Sequence, residues 1–118
     1  MKSWVLPEIE TPAGSRSPVV LCSGDEGRAV LIALEPGQEL GDHQVKESAY
    51  VVVLEGDVRI ESGGESLAAS AGTLVTFEPD ERRSVSSFGG ARLLLLLAPW
   101  PGEGHYRAEE RTQERERR

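Results

Sequence analysis

The feature that most constrains this 118-residue chain is its punctuation. Short apolar runs at Val19–Cys22, Ala29–Leu34, Ala49–Leu54, Val58–Ile60, Leu74–Phe77 and Leu93–Ala98 alternate with clusters of turn-forming residues. Those clusters are Ser23-Gly24-Asp25-Glu26-Gly27, Pro36-Gly37, Glu55-Gly56-Asp57, Ser62-Gly63-Gly64, Ala71-Gly72, Glu78-Pro79-Asp80 and Gly89-Gly90. Gly accepts positive φ, Pro presets φ and Asp bonds to its own backbone, so each cluster reads as a turn. No stretch between the first and last of these runs carries ten residues of helical period. Several runs are apolar at consecutive positions, as in strands covered on both faces, and Leu93–Leu97 is expected to be such a strand, either inside one sandwich or at a dimer interface. About eight short strands joined by such turns predict an all-β sandwich or barrel.

About a quarter of the residues are Leu, Ile, Val or Phe, enough for one core in a chain of this length. Thirteen basic and twenty acidic side chains leave a net charge of −7, the wrong sign for a phosphate-backbone binder. The charge is unevenly spread. Residues 107–118 hold five Arg and four Glu with almost nothing apolar, and are expected to form a solvated tail or a frayed helix. The lone Cys22 sits in an apolar run and is expected to be a small buried hydrophobe. The first residues lack the apolar core of a signal peptide, and no run is long enough to span a bilayer. A soluble cytoplasmic protein with neither nucleic acid nor membrane as partner is expected.

The segment Pro36-Gly37 through His43, Val45, Glu47 and Ala49 to Gly56 resembles the first sequence motif of the cupin superfamily. Gly37, His43 and Gly56 stand at that motif's spacings, and the segment from Gly72 to Val85 resembles the second motif. The likeness extends over roughly residues 28–98. It implies a double-stranded β-helix, or jelly roll, with the functional site inside the barrel. It divides the chain into an N-terminal arm (1–18), the barrel (19–98), an extension packed on it (99–106) and the charged tail (107–118). Small cupins pair as dimers, so the resemblance also implies a homodimer, joined through barrel strands or swapped terminal segments.

Metal-binding cupins supply four ligands, two His, a Glu and a third His. The aligned positions here are His43, Val45, Ala49 and Arg83, so a single ligand is kept. One imidazole beside a methyl and an isopropyl group does not hold a transition metal, and a guanidinium repels one. No cofactor is expected. Glu47, Asp42 and His105 are the residues from which a substitute metal site would have to be built.

Alternation with Val85 predicts that Arg83 faces inward and Arg82 outward. An inward guanidinium suits a carboxylate or other small anion, with His43 beside it as a candidate acid or base. The other reading of Arg83 is an internal ion pair with Glu47, Glu78 or Glu81. The ligand-binding set is therefore His43, Val45, Glu47, Ala49 and Arg83. Trp4 and Trp100, between Pro99 and Pro101, are expected to pack the chain ends on the barrel. The serines at 84, 86 and 87 lack a hydrolase context. The expectation is a metal-free cupin that binds a small anionic ligand. A cupin enzyme and a structural or interaction module with a filled barrel are the alternatives.

Overall fold

The computed structural model describes residues 1–11 and 18–102; His105 and the 107–118 tail lie outside the described residues. After a 3-10 turn at Leu6–Glu8 come eight strands: β1 (Val19–Gly24), β2 (Gly27–Leu34), β3 (Glu39–His43), β4 (Ser48–Ser62), β5 (Glu65–Ser70), β6 (Leu74–Phe77), β7 (Arg83–Ser86) and β8 (Ala91–Ala98). All pairings are antiparallel and belong to one curled sheet. The architecture is all-β, a double-stranded β-helix. No described helix is long and apolar enough to cross a membrane.

β4 holds the barrel together. Its first half pairs with β8 and β6, and its second half pairs with β5 and β7. Glu55-Gly56-Asp57, which reads as a turn in sequence, is instead a continuation of this 15-residue strand. Gly56 does take positive φ, at 77°, but at a register shift after Val53 rather than at a hairpin tip. A Cβ on Gly56 would collide with the carbonyl oxygen of Gly90. The glycine lets the strand bend and pass between the two halves of the sheet, the work of a bulge rather than a turn.

Inward-facing residues of both halves form one core. Val30, Ile32, Leu34, Ala49, Val51, Val53, Leu93 and Leu97 meet Val58, Ile60, Ala69 and Val85, with Phe77 between them. Leu31 is also fully buried but lies outside this cluster, because alternation turns it to the outer face of β2. On the same face, Arg92 of β8 donates from Nη1 to the carbonyls of Leu6 and Ile9 at 3.0 and 2.8 Å. The arm is thus strapped to the outside of the sheet through Arg92.

Within the single chain, Leu93–Leu97 is not covered on both faces: Leu93 and Leu97 are buried, while Leu96 is 38% exposed. The expectation for Cys22 is corrected. Cys22 is exposed, because β1 pairs only with β2 and forms an edge of the sheet. β3, β5 and β7 carry too many polar residues to stand out as apolar runs, and pairing with β7 and β4 makes them strands.

Candidate functional site

The site begins with the pairing of β3 and β7, which places His43 opposite Arg83. On β7 the alternation holds as expected: Arg83 and Val85 are buried, Ser84 and Ser86 half-buried, and Arg82 outside is exposed. Arg82 pairs there with Asp42 at 2.8 Å, which holds the guanidinium's pKa above its ordinary value. On β3 the register slips between Leu40 and His43. The His43 ring closes over this irregular stretch, with Nδ1 donating to the Gly41 carbonyl at 2.6 Å. A carbonyl only accepts, so Nδ1 carries a proton in this contact.

Arg83 is 3% exposed. Its guanidinium lies over the Phe77 ring, 4.7 Å from the centroid, and donates from Nη1 to the Glu81 carbonyl at 3.3 Å. Desolvation pushes its pKa below the usual guanidinium range, and the nearby Glu81 and Glu47 charges act in the opposite direction. It stays protonated at neutral pH. Among the described residues it forms no ion pair within 4 Å, and one of its five N–H donors is used. The expected internal salt bridge with Glu47, Glu78 or Glu81 therefore does not close. The Glu81 carboxylate is engaged elsewhere, accepting from Ser62 Oγ at 2.8 Å and from the Glu78 backbone at 3.0 Å. Those two bonds, with Arg83 nearby, hold it below the usual carboxylate range.

His43 and Arg83 line one interior cavity of about 40 Å³, walled by Ile32, Leu40, Val51, Phe77, Val85, Leu93 and Leu95. Val45, Glu47 and Ala49 are not in its wall. Val45 packs against the core cluster, and Ala49 is fully buried opposite Phe77 on the neighbouring strand. Glu47, a member of the expected ligand-binding set and a candidate for a substitute metal site, is fully buried and accepts the Gly102 backbone N–H. Phe77 is the functional neighbour that sequence reasoning missed. Its signal was a large aromatic two residues after Val75, on the same inward face.

An RmlC-like cupin protein from Desulfovibrio desulfuricans superposes with a TM-score of 0.75 at 22% identity, covering 84% of this chain and 97% of that one. A protein with a double-stranded β-helix domain from Klebsiella pneumoniae gives 0.75 at 18%, covering 86% and 94%. A cupin superfamily protein from Desulfitobacterium hafniense gives 0.73 at 12%, covering 80% and 86%.

The fold is that of the cupins.

No protein-family model and no curated protein matches the sequence. The cupin likeness makes the donor set at the centre of the barrel the next question. The positions aligned with the family's metal ligands are filled by one imidazole, two aliphatic side chains and a buried cation. Asp42 is committed to Arg82, and Glu47 to Gly102. Among the described residues no three His, Cys, Asp or Glu gather to hold a metal ion. These residues do not fit the metal that the cupin motif implies, because a dication would face Arg83 with one neutral ligand beside it.

Proposed function

We propose that this cupin barrel works without a metal and binds a very small carboxylate at Arg83. The observation that carries this reading is a guanidinium that is buried, free of any ion pair within 4 Å among the described residues, and exposed on one side to a cavity it shares with His43. A buried cation with unused donors is costly unless an anion or water completes it. The aliphatic remainder of the wall suits a short hydrocarbon tail.

The cavity limits the ligand sharply. Ordinary ligand sites measure about 300–1,000 Å³, and a single water needs about 10–15 Å³. Some 40 Å³ therefore takes two or three waters, or an anion the size of formate or acetate. The small volume also favours a second reading, a barrel filled with side chains whose role is structural. In that case Arg83 completes its hydrogen bonds with water alone.

A thermal-shift titration separates the two. Formate and acetate at constant ionic strength should raise Tm saturably, as a native-state ligand must. Citrate, too large for the cavity, should give no shift, and Arg83→Met and Arg83→Lys should abolish the response to acetate. An equal response in wild type and Arg83→Lys, or no response in wild type, overturns carboxylate binding in favour of the filled barrel.

A further inference from the structure

β5 and β6 each pair only with β4, so two strand edges flank an opening in the curled sheet. Between them lies a groove of about 490 Å³, within the range of organic-ligand sites. Its floor is apolar: Ile60 from β4, Leu67 from β5, and Val75 and Phe77 from β6. Ile60 and Phe77 are core residues reached from outside here, whereas Leu67 is 46% exposed and offers a wall free to make contact. Phe77 is shared with the interior cavity, so this one ring separates the groove from Arg83.

The described charged residues that line the groove are both acidic. Among the described residues, Glu65 and Glu81 are its only charged lining residues, and no Lys, Arg or His lines it. Glu81 is held in place by the Ser62 hydroxyl and the Glu78 backbone, and it stays ionised at neutral pH. A carboxylate oriented before a ligand arrives binds a cation with little ordering cost. Arg83 offsets part of the Glu81 charge from behind Phe77, but Glu65 on the opposite strand has no cation within 4 Å among the described residues. A ligand carrying a carboxylate would be repelled here, and a neutral one would leave two carboxylates to be desolvated without return.

We propose that the β5–β6 groove is a second binding site, which takes a small organic ammonium with an apolar body. The body packs on Leu67, Val75 and Phe77, and the ammonium sits between Glu65 and Glu81. This site is separate from the carboxylate site at Arg83, with which it shares the Phe77 ring.

Three isosteric probes test it by calorimetry and by NMR of the Leu67 and Val75 methyl groups: phenethylammonium, 2-phenylethanol and 3-phenylpropionate. Phenethylammonium should bind saturably and shift those methyls, the alcohol should bind at least about fivefold more weakly, and the carboxylate should not bind. Glu65→Gln and Glu81→Gln should each weaken ammonium binding about two- to fivefold, as single partly exposed charges do. The double variant should erase the preference over the alcohol. Arg83→Met, which removes the acetate response, should leave ammonium binding in place, so the two sites succeed or fail separately. Equal binding of ammonium and alcohol, an unchanged preference in the double variant, or no saturable binding would overturn the assignment.

Discussion

The backbone N–H of Gly102 donates to Oε2 of Glu47 at 2.6 Å, across fifty-five residues of chain. This contact ties the segment after β8 to the loop between β3 and β4. It is the last of a series along that segment: the Trp100 N–H reaches the Asp25 carbonyl at 3.4 Å, and its ring lies under the Arg28 guanidinium at 3.8 Å. Trp100 and Gly102 therefore dock on the β1–β2 turn, the start of β2 and the β3–β4 loop. A fully buried carboxylate is expensive unless it is hydrogen-bonded, and this backbone amide meets part of that requirement.

The position of Gly102 leaves no room for a side chain. A Cβ would meet the Lys46 carbonyl oxygen at 2.6 Å and the Glu47 nitrogen at 3.0 Å, both of them backbone atoms. Gly102→Ala should therefore lower stability by about 1–3 kcal/mol, through displacement of the extension and loss of the Glu47 bond. Gly41→Ala, where a Cβ meets nothing within 4 Å, should stay within about 0.5 kcal/mol of wild type. Urea unfolding of the full chain measures both. An equal effect of the two changes would mean that the extension is not docked as described.

Leu31 and Arg92 lie on the same outer face of the sheet, where Arg92 holds the N-terminal arm, and the arm is expected to cover Leu31. Leu31→Ala should cost about 2–5 kcal/mol, as for a fully buried leucine. Arg92→Ala removes both carbonyl contacts to Leu6 and Ile9 and should cost about 1–3 kcal/mol. Once the arm is released, Leu31 is already exposed, so the double variant should lose less than the two single losses combined. Strict additivity in a double-mutant cycle would show that something other than the arm covers Leu31.

Glu81 should contribute to acid sensitivity. Its folded pKa lies below its unfolded one, first because of Ser62 and then because of the Glu78 amide. The unfolded state therefore binds the proton more readily. The linked stability is present above the unfolded carboxylate pKa and is lost as pH falls through the folded value, below about pH 4. Glu81→Gln should thus be less stable than wild type at pH 7, with the gap narrowing towards pH 3. Denaturant midpoints at pH 7, 5 and 3 test this, and a gap that does not change with pH would exclude the Glu81 linkage.

Much of the barrel was legible in the sequence wherever the signal was local. Gly-containing turns and period-two alternation marked most of the strands and turned Arg83 inward beside Val85. Misreadings came where one local signal has two structural outcomes. Gly56 takes positive φ in a turn and in a bulge alike, and only the partners of β4 on both sides distinguish them. Cys22 lies in an apolar run, but whether that run is central or at an edge depends on strand order, which local sequence does not encode.

Residue identity alone determined that three positions aligned with cupin metal ligands offer no donor, because Val45, Ala49 and Arg83 have no basic lone pair to offer in any fold. It also determined the short-strand character of the chain, since turn chemistry acts over three or four residues. Only the tertiary structure decided how much space remains beside Arg83, which carboxylate the extension binds, and that the strand edges of β5 and β6 leave a groove between them. The physical reason is the same in each case. Volumes and buried hydrogen bonds arise from segments far apart in sequence, and they are settled only when those segments pack.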